Sequence, residues 1–546
     1  MSSKTLRLVP LGGLGEVGKN MMALEYGENI LVIDAGMMFP ENDMLGIDYI
    51  IPDFRYLLDK KHKVRGIIVT HGHEDHTGAI RHLLEQLEAP IYSTPLTQGL
   101  IEAKLSRNGL LGKASLHTVH AGDRIPIGPF SVEFFHVCHS IPDGVGLGIT
   151  TPAGLVVHSG DFKFDHTPVD GWPTDFGKLG ELGGRGVLAL LADSTNAERP
   201  GWTPSEAVID PALDSVFAKA RGRVLVATFA SLISRMAQVG RAAARHDRNM
   251  AFVGTSMIEN ARIARQLGYL ELPENLVVPL DQALGMKPSQ VVLMCTGTQG
   301  EPSSITGRLS TGTNRQFDLL PDDTVVLSSH PIPGNEEMVS RTVNRLLQRG
   351  AEVIYDAIAP VHVSGHASQE EQKLLLQLIR PKYFVPIHGE LRQLHRHAGL
   401  AREIGIPAEN IAVVENGSVI EFEDGKMRIA ERVPGGYVFV DGSGVGDIGP
   451  AVMREREALA RDGFVAVHIH LGVNGRLKRP AEILSKGFVF VQDSEDLFAR
   501  ARAKIDDLVG ETDGDLEERI EKELGKFFYA ATKRRPMVFV FASGAD

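Results

Sequence analysis

Residues 66–76 read GIIVTHGHEDH, an apolar run that ends in six residues of which five are polar. The run Gly66–Thr70 has the length and composition of a buried strand, and a helical pattern follows the polar residues. Imidazole and carboxylate side chains are ligands of divalent metal ions. Two histidines at i and i+2, His71 and His73, can point to one side of an extended loop, while the pair Asp75–His76 can face a second point nearby. The spacing therefore predicts two adjacent metal ions.

Single polar residues follow three other predicted strands and can complete the metal shells. A site built from imidazole and carboxylate needs about four to six donors, so ligands from outside the hexapeptide are required. The candidates are His139, Asp161 and His388. Each one alone is explained equally well as a hydrogen-bonded turn residue, but together with the hexapeptide they supply the donors that the shells require.

The composition is that of a folded globular protein of several domains. The chain has 546 residues, of which 43% are hydrophobic and 23% charged, so a largely disordered or collagen-like chain is excluded.

Apolar runs are far shorter than the ~20 residues of a membrane helix, and the N-terminal pattern lacks the apolar region of a secretory signal, which predicts a cytoplasmic protein. Two isolated cysteines exclude a disulfide framework and a thiolate zinc module. Because the net charge is −12, a nucleic acid would have to meet a local basic or dipolar groove.

Strand and helix patterns divide the chain into regions of different architecture. The first two hundred residues are short strands separated by turns, with one clear helix at Thr77–Leu87, which predicts stacked sheets with peripheral helices. From about Gly186 buried strands alternate with helices, which predicts a parallel sheet. Short strands return after about Pro360 and include Ile411–Val414. The pair Gly435–Gly436 and the stretch Asp441–Pro450 are rich in glycine, which predicts a linker or a set of turns, and a compact α+β domain follows.

Two further patterns are interpreted as structural. The run Gly13–Gly18 fits G-x-G-x-x-G, but a dinucleotide site requires a helix after the glycines, and strands are predicted there instead. The glycines therefore predict a tight loop. His468 and His470 share one face of a predicted strand, but no third ligand is near them in sequence, so they are interpreted as ordinary surface or packed histidines.

The motifs resemble a known family. The HGHEDH run is similar to the signature of the metallo-β-lactamase fold, as are the residues that accompany it, Asp34, His139 and Asp161. Further motifs resemble the β-CASP branch of that fold, namely Asp193 in ADSTN, His366 in HVSGH and His388 in PIHGE. The segments Leu11–Asn20 and Cys295–Pro302 and the tail narrow the resemblance to the bacterial ribonuclease J family, over essentially the whole chain.

The resemblance implies an α/β fold of three parts. These are a metallo-β-lactamase αββα sandwich, an inserted β-CASP domain with a parallel α/β sheet, and a small C-terminal α+β domain. The expected boundaries are residues 1–205 and 361–435 for the sandwich, 206–360 for the insertion, 436–450 for the linker and 451–546 for the C-terminal domain.

The resemblance also implies which side chains hold the metal ions. The expected sets are His71, His73 and His139 for one ion, Asp75, His76 and His388 for the second, and Asp161 as the bridge between them. Asp34 would accept an N–H from a ligand histidine and so fix its tautomer. Zinc suits this imidazole-rich ligation, and manganese is the alternative because geometry and availability decide occupancy.

The implied activity is hydrolysis of single-stranded RNA, both as a 5′-to-3′ exonuclease and as an endonuclease, in rRNA processing and mRNA decay. A histidine at the position of His388 is typical of RNA-acting members, whereas DNA-acting relatives tend to have an apolar residue there. The metal ions would activate water and neutralise charge on the phosphate, with Asp75 in the catalytic set. His366 is then the candidate general acid for the leaving 3′ oxygen, oriented by Asp193.

Two predicted helix starts could hold the RNA backbone. A fixed phosphate pocket there would prefer a 5′-monophosphate and would be too small for a triphosphate. Its candidate residues are Ser231, Ser234, Arg235, Ser364, Gly365 and His366. For Ser231, Ser234 and Arg235, an N-cap serine and a solvated arginine explain the pattern equally well.

Other functions remain open at this stage. The closest rival is a DNA nuclease of the same branch, followed by a small-molecule hydrolase such as a thioesterase or lactonase and by a non-catalytic RNA-binding scaffold. A homodimer or homotetramer is expected because the tail resembles a dimerisation module of the family, and other RNA-decay proteins are possible partners.

Overall fold

The computed structural model describes residues 5–41, 43–332, 334–473, 475–489, 494–509 and 515–544. The chain forms two compact units, one of Met1–Phe39 with Tyr49–Val438 and one of Pro40–Asp48 with Phe439–Asp546. Within the described part of the chain, every helix is too short or too polar to cross a membrane.

Two sheets face each other in the first unit. The larger sheet has eight strands, in spatial order Lys426–Arg432, Ser418–Glu423, Leu6–Gly12, Met21–Tyr26, Asn29–Ile33, Val64–Ile68, Pro90–Ser93 and Ser115–Thr118. The smaller has six, in the order Tyr383–Ile387, Val187–Asp193, Gly154–His158, Val145–Thr151, Phe130–His136 and Arg124–Ile127. Leu24 and Ile68 of one sheet share a buried core with Phe134, Leu147 and Val385 of the other. Burial of this apolar surface holds the sheets together.

Helices cover the sandwich. Phe176–Gly184 and Gln369–Ile379 pack through Leu179 and Leu375 against Leu190, on the outer face of the six-stranded sheet. The other α-helices of this part are Arg55–Leu58, Glu74–Thr77, Ile80–Leu84, Pro95–Arg107 and Leu391–Glu403. The αββα sandwich is thereby confirmed.

The prediction of one helix over Thr77–Leu87 was wrong. Two short helices, Glu74–Thr77 and Ile80–Leu84, take its place. A side chain at Gly78 would lie 2.3 Å from Met37 Cγ, so the chain turns close to its neighbours between the two helices. The longer helix Pro95–Arg107 was not predicted.

The insertion contains a parallel sheet, as predicted. Its strands, in spatial order, are Asn249–Phe252, Val291–Cys295, Val224–Ala227, Thr324–Leu327 and Glu352–Ile354, and all neighbours are parallel. Buried strands of this kind are covered by helices. The helices of the insertion are Ile209–Lys219, Ile233–Arg245, Thr255–Gln266, Leu280–Leu284, Ile305–Thr311 and Glu336–Gln348.

Three local predictions are decided by the backbone. A strand, Met21–Tyr26, follows Gly13–Gly18 where a dinucleotide site needs a helix, and Leu14–Gly15 within the run pairs with Gly389–Glu390, so the run is partly strand and not only a tight loop. Ile411–Val414 is not a strand, because it has only an isolated bridge from Ile411 to Phe384. The predicted linker contains a paired strand, Tyr437–Asp441 with Gly444–Val445, so it is more regular than its glycine content indicates. The predicted domain boundaries themselves stay predictions.

The second unit contains a three-stranded sheet. Its central strand Phe464–Leu471 is antiparallel to Leu477–Lys486 and parallel to Met537–Gly544. The helices are Pro450–Asp462, Glu495–Val509 and Leu516–Thr532. Val465, Val467 and Ile469 of the central strand share one core with Ile505 and Leu524 of the helices. This is the small α+β domain that the sequence predicts.

Candidate metal centre

Strand ends bring the predicted ligands to one edge of the sandwich. Gly154–His158, Val187–Asp193 and Tyr383–Ile387 are parallel neighbours, so their carboxyl ends meet at the same edge. Asp161 follows the first of these strands and His388 follows the third. The other predicted ligands, His71, His73, Asp75, His76 and His139, come from loops and the short helix that lie beyond strands of both sheets. The structure therefore brings all seven together.

Three ring nitrogens form a first group. Nδ1 of His73 lies 3.1 Å from Nε2 of His71 and 3.1 Å from Nε2 of His139. The three nitrogens converge within 4.8 Å of one another, as the ligands of one ion do. His71 is 1% exposed, so this group is shielded from solvent on the His71 side.

Asp75, His76, Asp161 and His388 form a second group. Oδ2 of Asp161 lies 3.2 Å from Nε2 of His76 and 3.3 Å from Nε2 of His388. The same oxygen is 3.6 Å from Nε2 of His71 and 3.7 Å from Nε2 of His139. Asp161 thus faces both groups, which is the geometry that a bridging carboxylate needs.

Hydrogen bonds fix the orientation of the ligand rings. Nδ1 of His76 donates to Oδ2 of Asp34 at 2.8 Å, which is the role expected for Asp34. Nδ1 of His139 donates to the carbonyl oxygen of Gly365 at 2.8 Å. Nδ1 of His388 lies 2.9 Å from the hydroxyl of Thr195. In each ring the opposite nitrogen, Nε2, is left to face the two groups of candidate ligands.

The backbone around the ligands is tightly constrained. Asp34 and His388 have positive φ angles of 61° and 51°, a conformation that non-glycine residues adopt rarely and often at functional sites. A Cβ at Gly365 would lie 2.8 Å from Nδ1 of His139, so only glycine lets the loop approach this ring.

The protonation states suit a divalent cation. Burial lowers the pKa of His71, His73 and His139, and that of His73 falls to about 4, so all three are neutral near pH 7 and offer lone pairs. Burial by itself raises the pKa of Asp75 and Asp161, but neighbouring histidines outweigh it and keep both carboxylates ionised. The carboxylates in turn outweigh burial at His76 and His388 and raise the pKa of both rings well above the ordinary histidine value, so a divalent cation would displace a proton from each of them. The resulting set of imidazole nitrogens and carboxylate oxygens fits zinc.

His366 and Asp193 form a pair beside the metal groups. Nδ1 of His366 donates to Oδ2 of Asp193 at 2.7 Å. The His366 ring lies 4.9 Å from the ring of His139 and 5.4 Å from that of His388, measured between centroids. Burial acts to lower the pKa of His366, but the carboxylate of Asp193 raises it above the ordinary histidine value. The imidazole is therefore held in place and able to carry a proton next to the metal groups.

The candidate phosphate-binding residues lie in different environments. Ser364 accepts from Nδ2 of Asn196 at 2.8 Å and from the backbone N–H of His366 at 3.2 Å. Ser231 precedes the helix Ile233–Arg245, as predicted, and Ser234 lines a cavity together with His139. Ser368 and Glu371 form a capping box at the start of Gln369–Ile379, so Gly365 and His366 lie just before a positive helix end.

The position of Arg235 differs from the sequence interpretation. Its side chain is 0% exposed and is paired with Glu206 at 2.8 Å. The guanidinium also donates to the carbonyl oxygen of Val361 at 2.6 Å and to the hydroxyl of Ser328. These acceptors come from three separate segments. The Arg235 side chain is therefore neither solvated nor accessible to RNA. Its contacts are those of a side chain that holds the loops of the insertion together.

Sequence reasoning did not single out two residues of the centre. Nδ2 of Asn20 donates to the carbonyl oxygen of Asp75 at 3.1 Å and lies 3.1 Å from Nε2 of His76. The hydroxyl of Thr195 donates to Oδ1 of Asp193 at 2.7 Å while it contacts His388. Both lie inside motifs that carried the family resemblance, which is the one signal that could have pointed to them.

Comparison with known families agrees with this arrangement. The family models that match are "Metallo-beta-lactamase superfamily" at residues 14–199, "Ribonuclease J, beta-CASP domain" at 221–346, "Zn-dependent metallo-hydrolase RNA specificity domain" at 350–411 and "Ribonuclease J C-terminal domain" at 451–545. The fold and site thus define a metal-dependent hydrolase of the metallo-β-lactamase superfamily with a β-CASP insertion.

Relatives of similar length narrow the class further. The chain is 46% identical to Ribonuclease J of Synechocystis sp., over 89% of this chain and 76% of that protein. It is 41% identical to Ribonuclease J 1 of Streptococcus pyogenes, over 97% and 96%, and 40% identical to Ribonuclease J2 of Bacillus subtilis, over 98% of both chains. The chain belongs to the ribonuclease J family, and is by that membership a metal-dependent ribonuclease.

A solved structure supports the fold. The crystal structure of a protein of unknown function from Enterococcus faecalis V583 superposes with a TM-score of 0.55 at 16% identity, over 77% of this chain and all of that one. At this identity the likeness concerns the fold alone.

Proposed function

We propose that the protein hydrolyses single-stranded RNA with two divalent cations, zinc in preference to manganese, held by the two ligand groups. The observation that carries this proposal is Oδ2 of Asp161, which lies 3.2–3.7 Å from histidine nitrogens of both groups. A single carboxylate oxygen that faces two donor sets fits a pair of adjacent ions better than one ion. The family description "Zn-dependent" for residues 350–411 supports zinc.

The chain's own residues would divide the chemistry among them. When bound, two divalent cations lower the pKa of water and neutralise charge on the attacked phosphate. His366 donates a proton from Nε2 to the leaving 3′ oxygen, because Nδ1 is engaged with Asp193. Asp193 holds the ring and stabilises its charged form. Asp75 stays ionised within the ligand set.

The RNA end would lie beside His366. Ser364, Gly365 and His366 precede the capped helix Gln369–Ile379, whose N-terminal dipole favours an anion. Together with Ser231 and Ser234 they form the proposed pocket for a 5′-monophosphate. The buried Arg235 supports the walls of this pocket instead of contacting the phosphate. A fixed pocket one nucleotide from the metal groups gives 5′-to-3′ exonuclease activity, and an internal stretch of RNA crossing the same groups gives endonuclease cleavage.

The wider setting is part of the proposal. The protein acts in the cytoplasm in rRNA processing and mRNA decay, as a homodimer or homotetramer and together with other RNA-decay proteins. Supporting these points are the family membership and the match of residues 451–545 to the ribonuclease J C-terminal domain.

End-labelled substrates test the activity. RNA with a 5′-monophosphate should be degraded from the end faster than RNA with a 5′-triphosphate, and single-stranded DNA of the same sequence should be cleaved far more slowly. Equal rates for the two RNA ends would reject the pocket, and preferential cleavage of DNA would favour the rival DNA nuclease.

The role of His366 has its own test. His366→Ala should slow cleavage by about 10²–10⁴-fold, the usual contribution of a general acid, while the metal content stays the same. His395→Ala, at an exposed histidine on the helix Leu391–Glu403, is the matched control. Since His366 also lies within ligand distance of His139 and Asp161, loss of metal from the variant would assign it a ligand role instead. Unchanged turnover would exclude it altogether.

A further inference from the structure

The sheet of the second unit carries a pair of histidines on the face away from its core. Along the central strand Phe464–Leu471, Val465, Val467 and Ile469 are fully buried, whereas His468 and His470 are only partly buried. The alternation of a strand puts both histidines on the same face. Their ring centroids lie 4.0 Å apart.

Strand pairing supplies the third ligand that is missing from the local sequence. Glu482 on the antiparallel strand Leu477–Lys486 lies directly opposite His468. Its Oε2 is 3.9 Å from Nδ1 of His468, and its Oε1 is 3.8 Å from Nε2 of His470. One ligand atom from each of the three residues lies within 4.8 Å of the other two. Two histidines and one glutamate are a common ligand set for zinc.

A serine on the other neighbouring strand orients both rings. The hydroxyl of Ser543, in the strand Met537–Gly544, lies 2.8 Å from Nδ1 of His470 and 3.1 Å from Nε2 of His468. A hydroxyl oxygen has two lone pairs and can therefore accept an N–H from each ring. The nitrogens left over, Nδ1 of His468 and Nε2 of His470, are the two that face Glu482. This is how hydrogen bonds outside a metal site usually orient the ligands.

The contact with Arg479 shows which ring nitrogen of His470 carries the proton. The guanidinium of Arg479 donates to Nε2 of His470 and lies 3.0 Å from Oε1 of Glu482. Because a guanidinium has no acceptor, Nε2 must present a lone pair, and the ring proton is on Nδ1, toward Ser543. Arg479 therefore satisfies the same acceptors that a metal cation would. Arg479 and Glu482 are both 56% exposed, so exchanging their contact for a metal ion costs little.

We propose that His468, His470 and Glu482 form a further divalent-metal site, of the zinc class, on the second unit and separate from the catalytic groups. The site has three protein ligands, so water or another donor completes its shell. Arg479 competes with the ion for His470 and Glu482. The ion ties the two paired strands together and stabilises the folded protein according to its concentration and affinity.

The first test counts metal ions on the full-length protein. Wild type and the double variant His468→Ala, His470→Ala are equilibrated with Zn²⁺, gel-filtered, and analysed by elemental mass spectrometry, with His62→Ala at an exposed histidine of the turn Lys61–Lys63 as the control. The double variant should hold one ion fewer per chain than wild type and His62→Ala, while its RNA cleavage is unchanged. Equal ion counts in the three proteins would overturn the proposal.

Single variants keep the test decisive if the double variant does not fold. Titration of Zn²⁺ by calorimetry should show weaker binding for Ser543→Ala, by about 10–100-fold, and a larger loss for Glu482→Gln at its exposed position. Arg479→Ala should bind more tightly than wild type because the competing cation is gone. Identical isotherms for Arg479→Ala, Glu482→Gln and wild type would contradict the site.

Discussion

The two ligand groups of the first unit, which are proposed to be catalytic, and the cluster on the second unit contain the same short sequence pattern. Each contains two histidines at i and i+2, His71 with His73 and His468 with His470, and each receives a carboxylate from another strand or loop. The first cluster lies where strands end and gathers seven donors, most of which are buried. The second lies in the middle of a strand, is partly exposed, and gathers three.

The two clusters differ in how far water can satisfy their carboxylates. Buried carboxylates such as Asp161, which is 4% exposed, cannot be satisfied by water and need a cation or hydrogen-bond donors. Exposed Glu482 is satisfied by solvent and by Arg479. Spacing in the sequence therefore indicates a metal ligand pair, while burial and the number of converging donors indicate the strength of binding and the capacity for catalysis.

Asp161→Asn should have the largest effect, because it removes the one charge that faces both catalytic groups. We expect RNA cleavage to fall on the order of 10³-fold, the scale of losing a preorganised charged group, together with loss of bound metal. Initial rates and elemental analysis of the purified variant measure both. The matching substitution in the other cluster, Glu482→Gln, should leave the rates unchanged. If the Asp161→Asn enzyme cleaved RNA at the wild-type rate, the first cluster would be no more important for cleavage than the second.

The two arginines that pair with glutamates should respond differently to truncation. Arg235→Ala breaks a fully buried pair and leaves Lys163, at 3.6 Å, as the remaining cation beside Glu206, so the free energy of unfolding should fall by about 3 kcal/mol, the lower end of the range for a broken buried pair. Arg479→Ala breaks an exposed contact and should change it by less than about 1 kcal/mol. Denaturant titration measures both values. If Arg235→Ala is as stable as wild type but loses the preference for 5′-monophosphate RNA, Arg235 binds the phosphate after all.

Asp34→Asn should lower RNA cleavage less than Asp161→Asn does, because Asp34 orients a ligand histidine and does not itself face the metal ions. Asp34 is buried and holds Nδ1 of His76, so its replacement should weaken metal binding by about 10–100-fold while the ligands themselves remain. Competition with a chromophoric chelator measures the change. Full activity should return when metal is added in excess. No change in affinity would mean that packing alone orients His76.

Sequence patterns predicted which side chains come together because these residues follow strands. Asp161 and His388 follow apolar strands that both run parallel to Val187–Asp193. The strand before His139 runs in the same direction, because it and Gly154–His158 are both antiparallel to Val145–Thr151, so the three strand ends lie at one edge. Asn20 and Thr195 were missed because their roles depend on side-chain contacts across the site, with Asp75 and with His388.

Long-range packing explains the remaining differences. Arg235 follows a strand at a helix start, which is typical of ligand-binding residues, but Glu206 and Val361 approach it from other segments and bury it. The register that sets Glu482 opposite His468 depends on how two strands pair, and the local sequence around the histidines does not contain it. Local sequence patterns therefore predicted strands, helices and the candidate ligands that follow strands. Contacts between residues far apart in the sequence could be found only in the structure.

RNA cleavage by this protein is proposed to depend on divalent cations held by the two ligand groups. The most direct measurement follows 5′-labelled single-stranded RNA with the purified enzyme after chelation, and again after Zn²⁺ or Mn²⁺ is restored, with bound metal counted in the same samples. We predict that cleavage stops when the catalytic ions are removed and returns as about two ions per chain bind again at the two ligand groups, counted in addition to the ion proposed for His468, His470 and Glu482. RNA cleavage that continues at the original rate in metal-free protein would contradict the account.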